Sequence, residues 1–447
     1  MTKKVRRKNI KVRTSKKDFS IKTALKSLGP GLITGASDDD PSGIATYSQA
    51  GASFGLGMLW MALFLYPLIA VVQEMCARIG IVKGDGLAFV MRKKYSKKVV
   101  LPIASLLLIA NTINIGADIG AMGASIRLLL PQLPSLIPTL LFTGLILFAE
   151  ISLPYHRYVK ILKYLTLSLF AYIITAMIVG GSFEELFIAS IVPHIEFTSQ
   201  FAMMFVAILG TTISPYLFFW QTSQEAEEDL DKKKIKDIDR GEPHITKKEL
   251  KVMRTDVAIG MFFSQLIMWA IIVTTAGSLH TQGITDIQTS DQAAKALEPV
   301  VKSFPNSGEI SKVVFALGII GTGLLAVPIL AGSSAYALSD VFGWKQGLNK
   351  KFGQAKSFYV VIAVSTLIGL WINFSDIDPI KALVYAAVIN GVTAVPILYT
   401  IMKIANDKKI LQNRINRRLS NVVGWATFMV MGVSVAVMFA TFIFRFE

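Results

Sequence analysis

The chain is short of the residues that much soluble chemistry depends on. It has one cysteine, Cys76, and four histidines in 447 residues. An internal disulfide is therefore excluded, and a thiolate cage for a structural metal has too few ligands. Charge is scarce as well: Asp, Glu, Lys and Arg make up 17% of the chain, against roughly a quarter in soluble domains. No His/Glu metal motif and no nucleophile with its base stands within the apolar stretches, so a membrane-embedded enzyme lacks its machinery. The opening MTKKVRRKNIKVRTSKKDFS has neither an apolar core nor a small-residue cleavage site, which makes residues 1–20 a basic cytosolic tail and not a signal peptide.

What fills the chain is apolar. Hydrophobic residues reach 53%, with a mean hydropathy of +0.53. They fall in blocks that approach or exceed the ~20 residues of a membrane-crossing helix. Eleven blocks are expected as spans: Ile21–Ala50, Gly55–Cys76, Val99–Leu130, Leu136–Leu153, Tyr158–Gly181, Phe201–Trp220, Val257–Leu279, Val313–Leu338, Phe358–Phe374, Ile380–Met402 and Val422–Phe444.

The net charge of +16 does not point to nucleic acid. Eleven Lys and Arg stand in the first 26 residues against a single acid, Asp18, and a polybasic run abutting a membrane helix follows the positive-inside rule and faces anionic lipid. The loops support this. Lys and Arg collect after spans two, four, six, eight and ten, as in Arg92–Lys94, Arg157–Lys163, Lys232–Lys236, Lys350–Lys351 and Arg414–Arg418. The loops after spans one, three, five and nine have few cations and include Glu184, Glu185, Asp376 and Asp378. A multi-pass protein of the cell membrane is expected, N-terminus inside and C-terminus outside.

Two spans contain breakers. In GPGLITGASDDDPSG the acids Asp38, Asp39 and Asp40 precede Pro41, and in GTTISPYLFFW Ser214 precedes Pro215. Proline removes a helix donor in each. Spans one and six are five apart, so they hold corresponding places in two five-helix halves, residues 21–181 and 201–402, with residues 422–444 as an added eleventh helix. Discontinuous helices in matching positions of two inverted halves mark the midplane site of secondary transporters. A carboxylate at mid-membrane is costly unless it meets a cavity or a cation, and unwound carbonyls can help coordinate an ion. Asp40 is the first candidate. The bland alternative makes the acidic triplet a solvated cap between two short helices.

GPGLITGASDDDPSG followed by ATYSQAGASFG resembles the first helix of the natural resistance-associated macrophage protein (Nramp) family of divalent-metal transporters, whose eleven-helix, LeuT-type all-α fold the span pattern matches. The resemblance implies a metal site at Asp40, Gly43, Thr211 and Ser214: the family motif Asp-Pro-Gly-Asn falls on Asp40–Gly43, and its Met-Pro-His on Ser214–Tyr216. The departures are chemical. Ser214 replaces a soft thioether, and Gly43 replaces an amide ligand, which should open volume. Hard oxygen ligands in a roomier site suit an ion that keeps its waters, as magnesium does. This pattern resembles the Nramp-related magnesium transporters. Tyr216 replaces the family His, and the ninth block has no Arg, so the family's proton route looks incomplete.

Asp38, Asp39, Tyr216, Asp118, Asn390, Gln224 and Glu225 are expected around the site or along the pathway. Asp118 reads equally as a buried acid bonded to Asn111 or Asn114. Asn390 reads equally as a packing site beside Pro396, and Gln224–Glu228 as a solvated helix end. The expected function is alternating-access transport of hydrated magnesium, with manganese as a second substrate, without proton coupling, without a cofactor and as a monomer. A proton-coupled manganese or iron importer and a sodium-coupled amino-acid carrier are the alternatives.

Overall fold

The computed structural model describes residues 29–134, 136–152, 166–235, 243–303, 306–374 and 378–444. The basic tail, His156, Arg157, Lys160, Lys163, Lys236 and Asp376 lie outside the described residues. The helices that carry the architecture are α1 (Pro30–Asp38), α2 (Pro41–Phe54), α3 (Trp60–Lys83), α4 (Leu87–Lys94), α5 (Lys97–Leu129), α6 (Leu136–Ser152), α7 (Phe170–Val179) and α8 (Phe183–Ile191). They continue as α9 (Ser199–Thr212), α10 (Pro215–Asp231), α11 (Lys247–Ser278), α12 (Ser307–Phe342), α13 (Lys356–Ile372), α14 (Pro379–Ala405) and α15 (Arg418–Phe444). Among the described residues there is no strand.

Each of the eleven apolar blocks contains helix in its described part. Seven are long and apolar enough to cross a membrane unaided, the sixth counted as α9 with α10. The first block is split between α1 and α2, while α6 and α13 have only 17 residues each. At 1.5 Å per residue such a helix reaches about 26 Å, just under the ~30 Å of a hydrocarbon core. The fifth block ends differently from expectation. After α7 the chain turns through 117° into α8, with Gly181 at φ +73° in the turn, a left-handed backbone that glycine adopts without strain. Ser182 caps α8 by accepting from Glu185 N at 3.1 Å, and Phe183, Phe187 and Ile188 stay exposed on it.

Both interrupted spans break where proline predicts, with proline at the first position of the second half-helix, where a missing N–H costs nothing. Asp40 caps α2, accepting from Gly43 N at 2.8 Å. Ser214 works on the other side of its break: its hydroxyl lies 2.7 Å from both Gly210 O and Thr211 O, the freed carbonyls that end α9. The half-helices are held by close backbone approach. A Cβ on Gly35 would stand 2.3 Å from Gly260 O of α11, so α1 can lie on α11 only with glycine there. Among the seven described helices of membrane-crossing length, the one holding the second break is the most enclosed: 89% of its apolar stretch is buried against 22% for α15, which therefore lies at the edge.

Candidate functional site

The site begins with Asp40, 1% exposed, whose carboxylate is met on every side. Oδ1 accepts from Ser42 Oγ at 2.6 Å and Gly43 N at 2.8 Å. Oδ2 accepts from Asn114 Nδ2 of α5 at 3.1 Å, and the Tyr216 hydroxyl stands 3.4 Å away. Tyr216 places its main bond elsewhere, donating to Ser37 O at 2.8 Å, so it closes the break in α1–α2 from α10. Ser42 Oγ also lies 3.3 Å from Thr211 Oγ1. Asp40, Ser42, Gly43, Asn114, Thr211 and Tyr216 thus form one connected group across both breaks.

Asp38 and Asp39 are buried, at 0% and 2% exposure. Ser264 Oγ of α11 donates to Asp38 Oδ2, while Asp38 Oδ1 and Asp39 Oδ1 have no partner. That burial corrects the bland reading of the triplet as a solvated cap, although Asp40 does serve as a helix cap. Tyr47 OH and Thr212 Oγ1, 3.1 Å apart, join α2 to the end of α9 beside them.

Gly43 does not open volume. A Cβ there would stand 3.2 Å from Asp38 O and 3.4 Å from both Thr211 Oγ1 and Tyr47 Cε2, so the missing side chain is filled by neighbouring groups. The Thr211 carbonyl accepts from Ser214 and keeps one lone pair for a further ligand. Ser214 is buried at the break and presents oxygen where the family presents sulfur.

The structure also corrects the bland reading of Asp118. Neither of its oxygens has a partner; Asn114 turns to Asp40, and Asn111 donates to Leu330 O, Ser333 Oγ and Ser334 Oγ of α12 at 2.9–3.0 Å. Asn390 on α14 is buried with both amide atoms unpartnered, and no described hydrogen bond joins it to Asp40. Glu225 and Glu227 are not at a solvated helix end. Glu225 is 2% exposed and accepts from Gln221 Nε2 at 3.0 Å, and Thr34 Oγ1 of α1 donates to Gln221 Oε1 at 2.6 Å. Glu227 accepts from Tyr336 OH, Leu348 N and Asn349 Nδ2 at 2.6, 3.0 and 3.0 Å. Gln224 Nε2 has no partner. Sequence reasoning missed Ser264, Gln221 and Thr34, because single polar residues in apolar helices carry no local signature until the helices are placed together.

Among the described residues no three His, Cys, Asp or Glu side chains converge in a group that could hold a metal by themselves. The break offers hydroxyl and carbonyl oxygens around the Asp40 carboxylate, a set of hard oxygens suited to an ion that arrives with water still bound.

Comparison with known proteins agrees with this arrangement. The chain is 25% identical over 425 residues to the divalent metal cation transporter MntH of Klebsiella pneumoniae, covering 93% of this chain and 94% of that one. Its fold is similar to a crystal structure of the Eremococcus coleocola manganese transporter, with a TM-score of 0.72 at 14% identity, over 97% of this chain and 90% of that one. It is more distantly similar to Mhp1, a nucleobase-cation-symport-1 family transporter, with a TM-score of 0.53 at 13% identity over 92% of each chain. The family described as natural resistance-associated macrophage protein-like matches residues 31–441, and the chain, with its two broken spans meeting at Asp40, belongs to that family.

Proposed function

We propose that the protein carries a divalent cation across the cell membrane by alternating access, that the cation is hydrated magnesium with manganese as a second substrate, and that transport does not move protons. The observation that carries this reading is the Asp40 carboxylate, buried at the junction of two broken helices with hydroxyl, amide and backbone N–H groups beside it. Asp40, Thr211 and Ser214 face the ion or its waters, and Gly43 contributes by positioning Asp40 through its N–H. Asp38, Asp39 and Tyr216 line the break, and Thr34, Gln221 and Glu225 mark a polar line leading from it towards the far ends of α1 and α10. A cavity of about 820 Å³, lined among others by Gly120, Arg127, Asp291, Lys312 and Asp378, stands at the opposite ends of α5 and α12, on the face whose loops are expected outside.

A proton-coupled manganese importer is the competing reading. It is favoured by the manganese and divalent-metal names of similar proteins and by one more intramembrane acid, Asp118. The deciding experiment is uptake of magnesium, manganese and calcium into proteoliposomes by wild type and Asp40→Ala. Asp40→Ala should remain folded and monodisperse and lose divalent uptake, because an acid at a polar break stabilises the ion more than the fold. Uptake by Asp40→Ala at the wild-type rate would remove Asp40 from the site.

A further inference from the structure

One turn along α5 from the amide that holds Asp40, a carboxylate is left open. Asn111, Asn114, Asp118 and Met122 occupy one face of this helix, within about 80° of arc at 100° per residue. The members of that face around Asp118 show where it looks. Asn114 donates to Asp40 Oδ2 at 3.1 Å. Met122 Sδ lies 2.5 Å from the position a Cβ would take on Gly323 of α12, and Pro41 Cγ lies 3.4 Å from that same position. The opposite face of α5 is spent on packing: a Cβ on Gly116 would meet Gly369 O at 2.7 Å, and one on Gly120 would meet Asn373 Oδ1 at 2.1 Å. Asp118 thus lies on the face of α5 that carries Asn114, the residue bound to Asp40, and opposite the glycine face packed at Gly369 and Asn373.

Both Asp118 oxygens are buried without a hydrogen-bond partner, and among the described residues none forms an ion pair with it. Asp40, in contrast, has donors on both oxygens. A buried carboxylate without partners is costly unless it holds a proton or meets a cation, so Asp118 is a group that a cation would satisfy. A divalent cation near the break would give the open Asp118 oxygens a partner. Magnesium is commonly held through one or two carboxylates with its remaining positions on water.

We infer that Asp118 is the second carboxylate of the cation site, so that the ion, directly or through its waters, bridges Asp40 of the broken first span and Asp118 of α5. This rests on the proposed cation-transport function and adds to it a residue that joins α5 to the ion.

The test is magnesium and manganese binding by calorimetry on purified full-length protein, with uptake and internal pH followed in proteoliposomes. Asp118→Asn keeps shape and removes charge. It should weaken binding of both ions at least about tenfold, since even groups that only support a metal ligand are worth 10–100-fold. Asp118→Glu restores the charge and should recover part of the loss with an altered magnesium-to-manganese ratio. If Asp118→Asn fails to fold, Asp118→Glu still decides, because a ligand moved by one methylene changes affinity and a bystander does not. Glu150→Gln is the control. Glu150 on α6 is equally buried with both oxygens unpartnered, yet no described bond ties it to the break, and its variant should bind as wild type. Wild-type affinity in Asp118→Asn while Asp40→Asn loses binding overturns the inference and leaves the cation site standing. Wild-type affinity in both overturns the site reading as well. Unchanged binding in Asp118→Asn with loss of internal acidification would make Asp118 a proton relay and overturn its role as a ligand.

Discussion

At the scale of single residues, the chemistry turns on which atoms are already committed. Asp40 uses both oxygens for protein donors, so an incoming ion must displace the weaker contacts from Asn114 and Tyr216 or bind through water. Ser214 is committed differently: its proton goes to the carbonyls that end α9, and its oxygen lone pairs remain. Replacing it with methionine would exchange that oxygen for a soft thioether, which favours manganese and cadmium over magnesium. Gly43 has no room for the amide found in the family, since the 3.2 Å approach of Asp38 O is already tight for a Cβ. The two substitutions should therefore separate. Ser214→Met is expected to shift the manganese-to-magnesium uptake ratio upward about tenfold, the value of one good ligand, with normal folding. Gly43→Asn is expected to lower thermal stability by about 1–3 kcal/mol through overpacking. A fluorescence melt and an uptake ratio for each variant test the pair. Normal stability in Gly43→Asn would mean that the break has slack that the contacts around Gly43 do not suggest.

Among elements, α1 carries the most specific docking. Its first amides are held by one carboxylate of α11, with Gly29 N at 3.3 Å from Asp256 Oδ1 and Gly31 N at 2.7 Å from Asp256 Oδ2. Acidic groups at a helix start satisfy free donors and meet the positive end of the dipole. Further along, Gly35 lies on Gly260 and Thr34 reaches Gln221 of α10. These contacts pin a nine-residue helix that is too short to be stable alone. Removing the cap with Asp256→Ala should cost about 1 kcal/mol, which is about a fivefold shift in the population of an undocked α1 at RT of ~0.6 kcal/mol. With Cys76→Ser as background and Ile33→Cys as reporter, maleimide labelling should accelerate by about that factor in Asp256→Ala. Equal labelling rates would mean that glycine packing, and not the cap, holds α1 in place.

For the whole molecule, the remaining question is what drives transport. A carrier that moves protons alongside metal needs titratable groups spaced across the membrane. Here neither His194 nor His280 stands at the break: His194 pairs with Glu196 at 3.2 Å and His280 Nδ1 stands 2.7 Å from Ala52 O. Towards the other end of α10, Glu227 is tied to Tyr336 of α12 and to Leu348 and Asn349 just after it, which makes it a structural clasp. Magnesium uptake is therefore expected to follow the ion gradient and the membrane potential without acidifying the liposome interior. A pH dye inside liposomes clamped with valinomycin reads this directly, and acidification in proportion to metal influx would refute it.

The fold class, the position of both breaks and the central place of Asp40 were legible in the sequence because each has a local cause. Apolar length makes a span whatever surrounds it, and proline removes a donor wherever it stands. The resemblance around DDDPSG then tied those features to a family. The rest depended on which helices meet. Nothing local distinguishes Ser264 from any serine in an apolar helix, or shows that Gln221 lies between Thr34 and Glu225. The expected space at Gly43 was the natural reading of a missing side chain, yet Asp38, Thr211 and Tyr47 close on it from three directions. The turn into α8 was hidden for the same reason, since Gly181 and Ser182 mark a turn but not its angle. Asp118 shows the division most clearly. Its presence in an apolar block is written in the sequence, but only the packing of α5 among its neighbours buries that carboxylate and leaves its oxygens open, because what a side chain meets is set by the helix face and its neighbours and not by the residue itself.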